Sequence, residues 1–386
     1  MAYPNNPSSP TDLLSALPAK FEEARKSGQL YFFPSEARDV YSQGRRFNLR
    51  LCPALQDKQK AKSDALAAVQ RENGTSSESK SSSGSPDRKR PRTDGGENVD
   101  KQNTEEPFKP PYVEELYVGC VEGLEGEEGM SILDTLKYSL LPEHILLCPP
   151  TYQPQSLPPT PPQVALAYHI LLAALRHPTK PRKLLGFYNG GEGAGASQKW
   201  RHLQFVEVPG GNAPVEDWCQ GVQFSRPDQA IILPSVPYLH IVHPLPAHTS
   251  VPYPPTEKSN EQLIDILAPA LMKMFDLAFD ALRNGGGNKD GGWNLLITLD
   301  HLHLVPRSAP SFPLPEPHQP LELNSLGYAG MMLVKSQEEQ EILISATEDK
   351  GGLMYVLEKC GVPREWGEKA KEAESIQQGS GELDFI

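Results

Sequence analysis

Hydrophobic and polar positions along this chain repeat in short bursts, and the period of each burst predicts an element. Residues 18–27 read as a helix with Pro18 in its first turn, Phe21 and Ala24 facing inward and Gly28 as the stop. Two strand-like runs follow, Leu30–Phe33 and Phe47–Leu51. The run TLKYSLLPEHILLCP, 135–149, predicts two short strands around a turn at Leu141–Glu143. An apolar helix spans Gln163–Arg176 and a strand Lys183–Tyr188. Trp200–Val208 alternates with period two, so Trp200, His202 and Gln204 share one face and Arg201, Leu203 and Phe205 the other. Ala230–Leu233 and Tyr238–Val242 are further short apolar runs among prolines. A long helix over Asn260–Arg283 aligns Leu263, Ile266, Leu267, Leu271, Met274, Phe275 and Leu282 along one side and stops at Asn284-Gly285-Gly286-Gly287. Trp293–Val305 forms a strand or strand pair, and Gly327–Val334 and Glu341–Ala346 are the last apolar stretches. Short strands adjoining in sequence, broken by a few helices, predict an α+β fold with mainly antiparallel sheet.

Composition adds an insert to that picture. The chain has 386 residues, enough for about two domains, and 39 prolines, about twice ordinary usage. From 56 to 104 aromatic and branched apolar residues nearly vanish, so this stretch is expected to be a disordered, low-complexity insert. Its Arg88-Lys89-Arg90-Pro91-Arg92 run reads equally as a nuclear-import signal or a solvated charge run. A net charge of −12 disfavours general binding to nucleic acid or to anionic membrane. Five scattered cysteines without a C-x-x-C pair argue against a disulfide framework or zinc finger and fit a reducing compartment. The N-terminus lacks a secretory pattern and no apolar segment reaches spanning length. A cytoplasmic location is therefore expected, with the nucleus as a second.

The chemistry concentrates in GEGAGASQKWRHLQ, 191–204. Gly191, Gly193 and Ala196 satisfy a loose dinucleotide fingerprint, but that pattern needs a helix after the glycines, and a strand follows instead. No Gly-Lys-Ser/Thr completes a P-loop. What remains is a glycine turn that can aim N–H groups inward beside His202 and Gln204. An amide can hold a non-bridging phosphate oxygen, and a neutral imidazole can attack phosphorus. A loop running into a strand with a partly buried histidine is the bland alternative. His301-Leu302-His303 also puts two imidazoles on one strand face, but no third ligand accompanies them in the sequence, which favours a structural or surface role. His240, His243 and His248 lie among prolines at a spacing that suits no zinc pattern, with His240 a candidate to line the pocket.

Phe187-Tyr188-Asn189, Gly195-Ala196-Ser197-Gln198 and Arg201-His202-Leu203-Gln204 together resemble the signature of the fungal diadenosine tetraphosphate (Ap4A) phosphorylases, or ATP adenylyltransferases. That family lies on the nucleotidyltransferase branch of the histidine-triad superfamily. Further blocks resemble it in order: Phe47-Asn48-Leu49-Arg50 with Pro53, Leu55 and Lys58; Lys137-Tyr138 with Pro142-Glu143-His144; Asn294 to Thr298 with Val305-Pro306-Arg307-Ser308; and Asn324 to Gly330.

The resemblance implies a histidine-triad-like, galactose-1-phosphate uridylyltransferase-like antiparallel sheet flanked by helices. It implies a catalytic N-terminal domain over 11–55 and 105–225, a C-terminal adenylyltransferase domain over 226–350 and a charged tail over 351–386. The implied reaction is Ap4A plus phosphate giving ADP plus ATP, reversibly, with ADP sulfurylase as a side activity. His202 would become adenylylated, and Gly195, Ala196, Ser197, Gln198 and Gln204 would stabilise charge on the transferring group. Lys58 and Lys137 would meet the polyphosphate, and Asn189, Asn294, Thr298 and Arg307 the nucleotide. The chain departs from the family pattern at Trp200, where the first motif histidine stands, and at Leu136, where an asparagine stands. The loss at 200 bears on how His202 is oriented and argues against a structural metal. Mg²⁺ or another divalent cation would arrive with the nucleotide. Nucleotides and phosphate are the expected partners of a monomer. A nucleotide-sugar phosphorylase of the same superfamily and a non-catalytic nucleotide-binding protein are the alternatives.

Overall fold

The computed structural model describes residues 7–56, 107–134, 138–208, 210–285 and 292–369. Most of the expected insert, the Arg88–Arg92 run and the residues Lys58, Leu136 and Lys137 lie outside them.

The helices are α1 (Pro10–Ser27), α2 (Pro161–Leu175), α3 (Pro214–Trp218), α4 (Glu257–Asn284), α5 (Ser325–Tyr328), α6 (Gln337–Glu348) and α7 (Leu353–Cys360). The first strands are β1 (Tyr31–Phe32), β2 (Glu36–Ser42), β3 (Arg45–Leu51), β4 (Tyr117–Val121), β5 (Met130–Asp134), β6 (Tyr138–Ser139), β7 (Ile145–Cys148), β8 (Leu184–Gly190) and β9 (Leu203–Glu207). They continue as β10 (Ile231–Ile232), β11 (Ile241–Pro244), β12 (Trp293–Ile297), β13 (His301–Pro306), β14 (Ser311–Phe312), β15 (Leu321–Glu322) and β16 (Met331–Val334).

Nine strands form one antiparallel sheet in the order β10-β11-β13-β12-β8-β9-β7-β5-β4. The stretches expected as two domains both contribute to it, and they meet where β8 pairs with β12. The α+β class with an antiparallel sheet and flanking helices matches the expectation.

Period-two alternation gives each face of the sheet its own core. Leu203, Phe205, Leu295, Ile297, Leu302 and Leu304 face α1, α2 and α4. Helix α2 is apolar all round and buried along nearly its whole length, as a helix packed on several sides must be. It opens on a capping box at Thr160 and Gln163. Phe187, Leu296, Val242 and Val305 project from the opposite face toward α3, α6, α7 and a small sheet of order β16-β3-β2. The cavity described below lies between that face and the small sheet.

Several local expectations are corrected. Helix α1 begins eight residues before Pro18, because Ser9 accepts the Asp12 N–H and Leu13, Leu14 and Leu17 bury a first turn; Pro18 is interior. Strand β2 was missed because its residues are mostly exposed and it is held by backbone pairing with β3. The strands β6 and β7 do not pair with each other; β6 joins β1, and β7 lies between β5 and β9. Ile266 is exposed rather than packed on the α4 core. The expected tail contains α7, whose Leu353, Met354, Val356 and Leu357 are buried.

Candidate active site

Strand β9 starts at Leu203, three residues later than its alternation suggested, yet the alternation still sorts the side chains. Arg201, Leu203 and Phe205 turn to the helical side, where Arg201 Nη1 donates to Gln153 and Gln163. Trp200, His202 and Gln204 turn to the other. There His202 and Gln204 line a cavity of about 440 Å³ together with Gly195, Ser197, His144, Phe108, Asn48 and Arg50. Asn324, Leu326 and Gly327 close it from α5, and Met331–Leu333 from β16. The glycine turn reaches this wall because Gly195 has φ +87°, and a Cβ there would stand 2.8 Å from Asn324 Cβ and 2.9 Å from the Leu323 carbonyl oxygen.

His202 is held at three points. Its N–H donates to Gln155 Oε1 at 2.8 Å, and its carbonyl accepts from Gln155 Nε2 at 3.3 Å. Its ring Nδ1 lies 2.8 Å from the Trp200 carbonyl oxygen, and the Phe108 ring packs 4.9 Å away, centroid to centroid. A carbonyl oxygen can only accept, so Nδ1 carries the proton and Nε2 keeps its lone pair. Burial lowers the His202 pKa to about 4, with the bond to Trp200 opposing that shift. The ring is therefore neutral at physiological pH, with a lone pair free on Nε2. The contact that orients it comes from the backbone of residue 200 and does not use the side chain there. The Trp200 side chain is occupied elsewhere, with Nε1 donating to the Pro149 carbonyl at 3.0 Å.

Beside it, His144 is also lowered to about 4 by burial, partly offset by its hydrogen bond to Gln204. Two neutral imidazoles and an amide thus share the cavity with Arg50, whose Nη1 donates to Ser35 Oγ at 2.8 Å.

Of the residues named from sequence, His202, Gln204, Gly195 and Ser197 meet at the cavity, and Ala196 and Gln198 stand next to them in the turn without lining it. Asn189, Asn294, Thr298 and Arg307 do not reach it. Asn294 Nδ2 donates to Asn189 Oδ1 (3.1 Å), to the Ala194 carbonyl (3.0 Å) and to Ser325 Oγ (2.9 Å). Arg307, fully buried over the Tyr328 ring, donates to Asn294 Oδ1 at 2.8 Å and to the carbonyls of Leu323, Ala309 and Pro310. These three residues brace the glycine turn and the 323–325 segment from behind. Thr298 is remote, capping the β12–β13 turn through His301. His240 is buried against His303 and does not line the cavity.

Gln155 and Phe108, which position His202, were missed. Gln155 lies in the Pro-rich connector before α2, and only its 47-residue separation from His202, closed by tertiary structure, gives it meaning. Arg50 and Asn324 stood inside quoted blocks without a role, since nothing local marks them as cavity-lining.

Comparison with known proteins finds relatives for both halves of the chain. The family model for the Ap4A phosphorylase N-terminal domain matches residues 84–218, and that for the ATP adenylyltransferase C-terminal domain matches 234–363. The chain is 30% identical to diadenosine 5',5'''-P1,P4-tetraphosphate phosphorylase 2 of Saccharomyces cerevisiae over 288 residues, covering 73% of this chain and 83% of the relative. It is 28% identical to Protein APA1 of the same yeast over 61% of this chain and 70% of that protein. The fold resembles the crystal structure of yeast Ap4A phosphorylase Apa2 in complex with Ap4A, with a TM-score of 0.64 at 24% identity, covering 93% of this chain and 99% of that one.

Proposed function

The chain belongs to the Ap4A phosphorylase family, and from that premise we propose that it cleaves Ap4A by phosphorolysis, with His202 as the adenylyl acceptor. It is a nucleotidyltransferase. The observation that carries the residue assignment is the Nδ1 contact to the Trp200 carbonyl, which leaves Nε2 as the nucleophilic nitrogen of a ring lining the cavity.

In the first step Nε2 attacks the α-phosphorus of one adenylyl group, and the bond from that phosphorus to its bridging oxygen breaks. ATP leaves with the electron pair, and the histidine holds AMP as a phosphoramidate. The positive charge gained by the ring strengthens the hydrogen bond from Nδ1 to the Trp200 carbonyl. A phosphate oxygen then attacks the same phosphorus, ADP departs, and Nε2 regains its lone pair. Splitting one displacement into two through a good leaving group is the usual gain of covalent catalysis. Gln204 and the Gly195–Ser197 turn stand where amide and N–H donors can stabilise charge on the non-bridging oxygens. Arg50 is the one arginine or lysine among the described lining residues, and Mg²⁺ or a similar cation carried with the substrate would supply further countercharge to the polyphosphate.

The test is incubation with Ap4A labelled at the α-phosphorus, followed by denaturation. Acid-labile, base-stable label on the protein, absent in His202→Ala, is the expected result. Labelling undiminished in that variant would remove His202 from the mechanism.

A further inference from the structure

The same face of the large sheet carries a second cluster, separate from the cavity lining. Strand β13 projects His301 and His303 together, and Cys219, the residue that ends α3, comes down on them through the fold. The sequence offered these histidines no third ligand; tertiary structure supplies one. One potential ligand atom from each of the three residues lies within 4.8 Å of the others. A tetrahedral ion with bonds of 2.0–2.3 Å holds its ligands about 3.3–3.8 Å apart, so small side-chain rotations close the site.

Three observations indicate that the cluster is built for an ion. His303 is completely buried, and its Nε2 has no hydrogen-bond partner; Nδ1 of His301 has none either. Buried ring nitrogens are seldom left unpaired in a native fold, and coordination of an ion is one recognised reason. His240 Nε2 lies 3.1 Å from His303 Nδ1. If His303 donates from Nδ1, its Nε2 lone pair points free, the arrangement in which a second residue fixes the tautomer of a metal-ligating histidine. The Phe224 ring stacks on His301 at 5.3 Å and restricts the half-buried ring.

We propose that Cys219, His301 and His303 form a binding site for a borderline-soft divalent metal ion of the Zn²⁺ class, with His240 orienting His303 and a water filling the fourth position. One thiolate and two imidazoles suit such an ion and do not suit Mg²⁺ or Ca²⁺, which take oxygen ligands. The Cys219 thiol gives up its proton to solvent as the Sγ–metal bond forms. Paired residues run across the sheet from His303 through Leu296 to Phe187, which lines the cavity, two strand spacings or roughly 10 Å away, so the ion sits beside the cavity without lining it. It ties the end of α3 to the β12–β13 hairpin. Helix α3 in turn holds β3 through Asp217 and Arg46 at 2.6 Å, and β3 carries Asn48 and Arg50 to the cavity wall.

The experiment uses the full chain, purified without affinity metals, with metal content measured by mass spectrometry. Chelator-treated protein is then titrated with cobalt chloride and followed by absorption. About one equivalent of bound metal and a thiolate-to-cobalt charge-transfer band saturating near one equivalent are expected. Cys219→Ser should abolish the charge-transfer band, and His301→Asn, a change at a half-buried edge position, should weaken cobalt binding at least ~10-fold while far-ultraviolet circular dichroism stays unchanged. Wild-type protein that binds neither its expression metal nor cobalt overturns the proposal. So does a charge-transfer band that survives in Cys219→Ser or binding undiminished in His301→Asn.

Discussion

Two groups of histidines sit on one face of one sheet, and their surroundings give them different chemistry. His202 and His144 border a cavity of about 440 Å³, while His240 and His303 are sealed against each other and against Tyr238. Burial depresses the proton affinity of all four rings. Depth alone therefore does not make a nucleophile. The difference lies in which nitrogen is occupied and what the other one faces. At His202 a backbone carbonyl takes Nδ1 and the ring lines a cavity; at His303 another imidazole takes Nδ1, and Nε2 faces into protein.

The comparison breaks most sharply at the proposed nucleophile, His202. His202→Ala should lower the phosphorolysis rate by at least ~10³-fold with the fold intact, while His301→Asn should leave the rate within about 3-fold of wild type. Steady-state rates on the two purified variants check both halves. Next in size is the support behind the glycine turn. Arg307→Met strips Asn294 Oδ1 and several carbonyls of a fully buried donor and should cost about 3–5 kcal/mol in stability, read from denaturant unfolding. An unfolding midpoint unchanged in that variant would remove the bracing role.

The ring orientation itself is a smaller lever. Trp200→Phe keeps the backbone carbonyl and loses the Nε1 bond to Pro149, so stability should fall by about 1 kcal/mol and the rate by less than about 3-fold. A larger rate loss would mean that the indole, rather than the backbone, sets the imidazole. The last lever is pH. Above pH ~6.5 folded and unfolded chains both hold His144, His169 and His202 neutral. Between that value and about 4 only the unfolded chain takes up protons at these sites, because burial has lowered each folded pKa to about 4. Stability should therefore decline as pH falls through this window, by up to ~1.4 kcal/mol per pH unit for each of the three. His202→Ala should reduce that slope by one histidine's share, measured as unfolding free energy against pH.

How much of this was legible in the sequence differs between the same two regions. The alternation from Trp200 to Val208 placed His202 and Gln204 on a common face, and the structure puts both on the cavity although the strand itself starts later. Asn189, Asn294 and Arg307 belonged to the matching blocks, but a motif records that residues go together without saying which face the ligand. Here they are the frame behind the turn. Gln155 had no local signal at all, since its two bonds to residue 202 exist only once the connector before α2 folds across β9. The second cluster was half legible. Period two aligned His301 with His303, but Cys219, 82 positions earlier, joins them only through the packing of α3 on the sheet.

The most direct test of the assignment of His202 is mass mapping of the adenylylated protein. Enzyme mixed with Ap4A in the absence of phosphate should be quenched at neutral to basic pH, digested and sequenced by tandem mass spectrometry. One adenylyl group on the peptide containing His202, discharged when phosphate is added before the quench, is the expected result. An adenylyl group on His144 instead, or turnover with no adduct on any histidine, would contradict it.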